Sequence, residues 1–214
     1  MRDPTDFIRA NTRLMPVPLV PEIKLHLAEE PLPIWQRTEE ELGEMNVPPP
    51  YWAFAWAGGQ ALARFLLDNP GVVTRRRVLD LGCGSGLTAI AAKLAGASQV
   101  QAAEIDAFAR AAIGLNAAAN GVAVETSHEG PSAAPGSGFG AVLAGDMFYE
   151  RPLAERVLAF LDAAHQDGAR VLVGDPGRSY FPKHRFREIA VYSVPVTREL
   201  EDAEIKRTAV WELA

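Results

Sequence analysis

The chain has 214 residues and a formal net charge of −6, with one cysteine, Cys83. That length buries one substantial core, and the acid excess argues against a nucleic-acid binder, which carries a basic footprint. A single cysteine excludes a disulfide framework within the chain and any cysteine-based zinc site, and no run approaches the 18 apolar residues of a membrane span.

Residues 1–6 lack the apolar core of a secretion signal and carry acids early, so a cytoplasmic protein without a membrane partner is expected. Residues 1–56 read as an extension covering the main domain, which runs over 57–214, and the whole is one domain. Prolines at 16, 18, 21, 31 and 33 break the extension into short extended pieces. A strand or hairpin fits 17–27, and a short acidic helix fits 36–45, closed by Asn46-Val47-Pro48-Pro49-Pro50. A helix over 58–68 precedes the sheet. Strands are predicted at 77–81, 99–104, 122–126, 139–145 and 169–174, alternating with helices at 86–95, 107–119 and 152–165. Such alternation specifies a parallel sheet with helices on both faces. After the fifth strand the pattern changes, and 188–194 with 207–213 read as a closing strand pair with no helix between them. The Gly, Pro and Ser residues of 130–138 form a connector.

The first strand ends in the most informative segment, Val78-Leu79-Asp80-Leu81-Gly82-Cys83-Gly84-Ser85-Gly86. A strand, a tight glycine turn and a helix N-terminus form a ligand site, because glycine takes backbone angles closed to other residues and leaves room against the main chain. A dinucleotide turn needs Gly-x-Gly-x-x-Gly. Here the third glycine comes one residue early, at Gly86, and Leu87 occupies the dinucleotide position. Asp80 sets a carboxylate where a pyrophosphate would lie. A cationic ligand without phosphate suits the turn better, and S-adenosylmethionine has a sulfonium, an ammonium and a ribose. Cys83, between two glycines and far in sequence from any histidine, reads as a packing residue of the turn and not a thiol nucleophile.

One βα unit later, Glu104-Ile105-Asp106 closes the second strand. An acid there accepts hydrogen bonds from ribose hydroxyls. Glu104 is the candidate, with Ile105 beside it, while Asp106 either joins the site or caps the helix that begins near Ala107. In such sheets ligands bind beyond the carboxyl ends of the strands, which brings Asp146-Met147-Phe148-Tyr149 and Asp175-Pro176-Gly177-Arg178 to the same rim. The basic stretch Arg178, Lys183, His184, Arg185, Arg187 is either a solvated loop or a substrate contact. The four histidines show no ligand spacing, so no metal is expected.

Five alternating units followed by a hairpin describe the Rossmann-like class I methyltransferase fold, a seven-stranded, mostly parallel sheet. Tyr51-Trp52-Ala53-Phe54-Ala55-Trp56 with Gly58-Gly59, the glycine turn, Gly145-Asp146-Met147-Phe148-Tyr149 and Gly174-Asp175-Pro176-Gly177-Arg178 together resemble the lysine methyltransferases of the electron transfer flavoprotein β subunit. The resemblance covers about residues 15 to 214. It implies S-adenosylmethionine as cofactor, bordered by Trp56 and Gly59, its methionine part cradled by Asp80, Gly82, Cys83, Gly84 and Gly86, and its ribose held by Glu104 with Ile105 and Asp106. It also implies Asp146 and Tyr149 as catalytic residues on a lysine channel, with Trp52, Phe148 and Arg178 touching the substrate. The partner would be a protein, electron transfer flavoprotein β subunit or a ribosomal protein, and the enzyme a monomer. A small-molecule N-methyltransferase and a non-catalytic S-adenosylmethionine-binding module are the alternatives. Deep closure over the site favours the small molecule, and loss of Asp146 would favour the module.

Overall fold

The computed structural model describes residues 3–29, 33–34, 49–131 and 138–214. The helix expected at 36–45 and most of the connector at 130–138 lie outside the described residues. A short helix, α1 (Pro4–Asn11), opens the chain, begun by Pro4 in its first turn and by Asp3, whose carboxylate accepts the Thr5 N–H. The hairpin β1 (Arg13–Val17) and β2 (Val20–Leu27) follows, with Val20, Ile23, Leu25 and Leu27 buried. Helix α2 (Ala57–Asp68) leads into β3 (Arg77–Leu81), α3 (Leu87–Leu94), β4 (Gln99–Ala103), α4 (Ala107–Ala119) and β5 (Glu125–Ser127). Then come β6 (Ala141–Gly145), α5 (Arg151–Gln166), β7 (Arg170–Asp175), β8 (Phe186–Pro195), the four-residue helix α6 (Arg198–Glu201) and β9 (Ile205–Leu213).

Seven strands form one sheet in the order β5-β4-β3-β6-β7-β9-β8, parallel except for β9, which runs antiparallel to both neighbours. Strands β3, β6 and β7 are buried almost throughout because helices cover both faces, which is why they read as apolar runs, interrupted in β3 by the buried Asp80. Two expectations need correction. Strand β5 is shorter and starts later than 122–126, because the Val122 N–H closes α4 on the Ala117 carbonyl at 3.0 Å instead of pairing in the sheet. The closing pair also has a helix between its strands, α6.

The N-terminal segment is fastened to α4. Phe7 meets Phe108 edge-on at 5.5 Å, and Phe7, Ile8, Trp52 and Phe54 share a core cluster with Phe108. Asn116 of α4 and Asn120, which caps its C-terminus, take the edge of β2: Asn120 accepts the Lys24 N–H at 2.9 Å and Asn116 the His26 N–H at 2.7 Å. The fully buried Asn116 also donates to the Ser85 carbonyl at 2.8 Å, so one side chain ties the cover to the glycine turn.

Helix α2 approaches the sheet main chain to main chain. A Cβ on Gly58 would overlap the Gly174 carbonyl and the Asp146 carboxylate, and a Cβ on Gly174 would overlap the Gly58 carbonyl. Gly174→Ala is therefore expected to destabilise the fold by about 1–3 kcal/mol or more, as overpacking does. Gly71→Ala, with no atom within 4 Å of the new methyl, should change stability by less than about 0.5 kcal/mol. Urea unfolding measures both, and equal effects would contradict the close approach.

Candidate active site

A cavity of about 400 Å³ opens beyond the carboxyl ends of β3, β4 and β6. Gly82, Gly84 and Gly86 have φ of 62°, 52° and 81°, angles that glycine takes without steric cost. Gly82, Cys83, Gly84 and Ser85 line the cavity. Gly86 does not: it starts α3, and a Cβ there would press on Ile113 of α4 at 3.2 Å. Asp80 is also outside the lining and has no exposed surface. It accepts the Thr88 hydroxyl, tying β3 to α3, and burial pushes its carboxyl up to about 7. Asp80 and Gly86 therefore shape the turn from behind and do not line the cavity.

Glu104 stands on the cavity wall beside the turn. One of its oxygens accepts the Gly84 N–H and the other the Asp106 N–H, both at 3.0 Å. Ile105 is 67% exposed at the rim, and Asp106 caps α4 through the Phe108 N–H at 2.9 Å while still lining the cavity. Burial raises the Asp106 pKa.

Across β3, Asp146 follows β6 with a left-handed φ of 56° and is 8% exposed. Its Oδ2 accepts the Gly59 N–H at 3.0 Å, and its Oδ1 accepts Nε and Nη2 of Arg178 at 3.0 and 2.6 Å. Burial raises its pKa and the Arg178 charge opposes that rise. Arg178 reaches onward to Glu201, with Nη1 and Nη2 donating at 3.0 and 2.6 Å. Asp175 folds back on its own turn, its Oδ1 accepting the Gly177 and Arg178 N–H groups at 2.7 Å each. Its Oδ2 is buried with no partner among the described residues, and burial pushes its carboxyl up to about 7.

Aromatic rings form the wall near Asp146. Tyr51 lies 5.8 Å from Trp56 and 5.6 Å from Tyr149, and the Arg178 guanidinium lies 5.7 Å from the Trp56 ring. Burial, with Tyr51 and Glu150 adding to it, pushes the Tyr149 phenol up to about 12, so it keeps its proton at neutral pH.

Two residues expected on the substrate side lie elsewhere. Phe148 is fully buried in the core face of the sheet, 5.2 Å from Phe181 and 6.3 Å from Phe186. The left-handed turn at Asp146 gives Met147 and Tyr149 to the cavity and Phe148 to the core. Trp52 lines the cavity but is 1% exposed, stacked on Phe108 at 6.4 Å, with its main chain over Gly84. It belongs to the glycine-turn side. The basic stretch is engaged by its own chain: Arg185 pairs with Asp162 at 2.8 Å, Arg187 with Glu212 at 2.6 Å, and Lys183 lies 5.2 Å from the Trp211 ring. Sequence reasoning missed Glu201 and Asn116, which carry no spacing signal. Among the described residues no group of three His, Cys, Asp or Glu is placed to hold a metal, and no helix is long and apolar enough to cross a membrane.

The family model for ribosomal protein L11 methyltransferase (PrmA) matches residues 61–140. The chain is similar to proteins named electron transfer flavoprotein beta subunit lysine methyltransferase. It is 39% identical to that of Danio rerio over 98% of this chain and 83% of the relative. It is 40% identical to that of Mus musculus over 91% and 77%. Among solved structures it is similar to the ribosomal protein L11 methylase of Lactobacillus delbrueckii subsp. bulgaricus, with TM-score 0.55, 21% identity, and 75% of this chain and 81% of that one covered. The magnesium protoporphyrin IX methyltransferase of Synechocystis with bound SAM gives TM-score 0.55 at 16% identity, covering 84% and 90%. The two structures show a shared fold.

Asp175 supplies a pH test. Its folded pKa lies above the ordinary value of 3.8, so between about pH 4 and 7 the folded state holds the extra proton and stability falls as pH rises. Asp175→Asn should remove that contribution, gaining on the parent by up to about 1.4 kcal/mol per pH unit across the window. Urea unfolding at a series of pH values reads the difference, and parallel curves for variant and parent would contradict it.

Proposed function

As the chain belongs to the family of electron transfer flavoprotein β subunit lysine methyltransferases, we propose that it transfers the methyl group of S-adenosylmethionine to a lysine amine of the electron transfer flavoprotein β subunit. The observation that carries the reading is the pair of carboxylates, Glu104 and Asp146, on either side of the glycine turn in one cavity.

The cavity fits the cofactor on its own chemistry. Its size is within the range of small-molecule sites, and its lining is mostly apolar. Arg178 is the single basic side chain among the described lining residues, and both its carboxylate partners are already in place. No unpaired basic side chain among the described lining residues is there to meet a phosphate, whereas a sulfonium and an ammonium suit the acids. Glu104 would take the ribose hydroxyls, each of its oxygens having spent one acceptor site on a main-chain N–H. Gly82, Cys83 and Gly84 would lie along the methionine part, with Trp56 and Gly59 at its border. When bound, the cofactor supplies an electrophilic methyl group.

The chain must then present a neutral amine. A free lysine has a pKa near 10.4, so about one in 2,500 is neutral at pH 7. Asp146 attracts the ammonium and fixes its direction. A carboxylate has about four acceptor sites, and three protein donors already hold that of Asp146, two on Oδ1 and one on Oδ2. It is a fixed anchor, and positioning is its main contribution. Tyr149 remains a neutral phenol and lines the approach with Tyr51 and Trp56, whose ring faces attract a cation. The apolar walls favour loss of the amine proton to water.

Incubation with S-adenosylmethionine and the electron transfer flavoprotein β subunit should give a lysine mass increase in that protein by mass spectrometry. Methylation of ribosomal protein L11 alone would move the substrate to the second family, which the match over 61–140 favours. No methylation of either would overturn the reading. Glu104→Ala should weaken S-adenosylmethionine binding at least tenfold, since hydrogen bonds to a charged group contribute about 1.5–3 kcal/mol each. Unchanged affinity in calorimetric titration would remove Glu104 from the site.

A further inference from the structure

Glu201 is 4% exposed, although its neighbours Glu199, Asp202 and Glu204 in the connection between β8 and β9 are exposed. Asp202 takes a left-handed φ of 53° as the chain turns away after it, a conformation uncommon for a non-glycine residue. A buried carboxylate is costly unless paired and fully hydrogen-bonded. Glu201 is paired: its two oxygens accept Nη1 and Nη2 of Arg178, a parallel fork, while Nε and Nη2 of the same guanidinium face Asp146. This fork geometry is specific to arginine.

We propose that Glu201 is a positioning residue for methyl transfer: by holding Arg178 from the side away from the cavity, it fixes the Asp146 carboxylate and leaves it free to meet the acceptor ammonium. The inference rests on the role given to Asp146 above. Arg178 divides one positive charge between two carboxylates, so Asp146 is not neutralised by it. Without Glu201 the guanidinium is released to turn its whole fork onto Asp146, cancelling that charge and occupying the acceptor site that the substrate amine needs. The other charged groups close by are Lys206 of β9, whose ammonium lies 3.6 Å from Glu201 and is a third exposed, and Asp175 of β7. The Gly59 N–H of α2 faces Asp146 from the remaining side. None of these replaces the fork.

The test separates coupling from catalysis. Glu201→Gln keeps the shape and one acceptor but removes the charge. The carbon-13 NMR titration of the Asp146 carboxyl should move to lower pH in this variant, because the Glu201 charge opposes ionisation of Asp146. That readout needs no substrate, so it stands whatever protein is methylated. In the methylation assay, Glu201→Gln should lower kcat at least tenfold with S-adenosylmethionine affinity within twofold of the parent. Glu201→Asp, which keeps the charge, should recover part of the loss. Arg178→Lys, which keeps charge without the fork, should lower kcat similarly, and it tests the same link if Glu201→Gln fails to fold. An unmoved Asp146 titration, or parental kcat in Glu201→Gln or in Arg178→Lys, would overturn the proposal. A cofactor affinity falling in step with kcat would reduce Glu201 to a general structural part.

Discussion

The N-terminus of α2 rests on the carboxyl ends of β6 and β7 with no side chain between them, and the active cavity follows from that contact. Gly58, Gly145 and Gly174 make it possible, since a methyl group at Gly58 or Gly174 would meet main chain. Helix α2 has no side-chain cap of its own at Trp56. Its first-turn N–H at Gly59 is satisfied by the Asp146 carboxylate, delivered from another strand 87 residues away in sequence. The first N–H groups of a helix lack internal partners and carry partial positive charge. The contact therefore completes the helix and favours the charged form of Asp146, against the burial that raises its pKa.

Four of the acids at the strand ends divide into two kinds by environment. Asp80 and Asp175 are buried behind the strand ends, each with one oxygen lacking a partner among the described residues, and both are pushed up to about 7. They support turns. Glu104 and Asp146 have donors on both oxygens and line the cavity. The aromatic wall of Tyr51, Trp56 and Tyr149 lies beside Asp146 and gives that side of the cavity apolar faces. A cofactor that is cationic at the reacting centre and a substrate that arrives as an ammonium both suit such a container.

Much of the framework is legible in sequence. Strands β3 and β4, the glycine turn and α4 follow from apolar runs, alternate glycines and Asp106 as a cap. These are local signals. Helix α1 is not legible from periodicity, because only Phe7 and Ile8 are buried in it. At the site, the ends of the motif are better placed than its middle. Asp146 and Tyr149 line the cavity, but which of Met147 and Phe148 faces it depends on the left-handed turn at Asp146, which no residue type announces. Asp80 and Gly86 support the turn without lining the cavity, a distinction that spacing does not make. Glu201 lies in an acidic run of otherwise exposed residues, and its importance arises from Arg178, 23 residues earlier. Only the tertiary fold brings the two together.

The central claim is that Asp146 directs the acceptor amine and does not hold the cofactor. Asp146→Asn keeps the size of the side chain and an acceptor for Gly59 but removes the charge. The decisive measurement is single-turnover methyl transfer by this variant to its protein substrate, alongside calorimetric S-adenosylmethionine binding. The account predicts cofactor affinity within a few-fold of the parent and a transfer rate lower by about 100-fold or more, the loss that misplacing a reacting group produces. Transfer at the parental rate, or a loss of cofactor binding as large as the loss of rate, would contradict it.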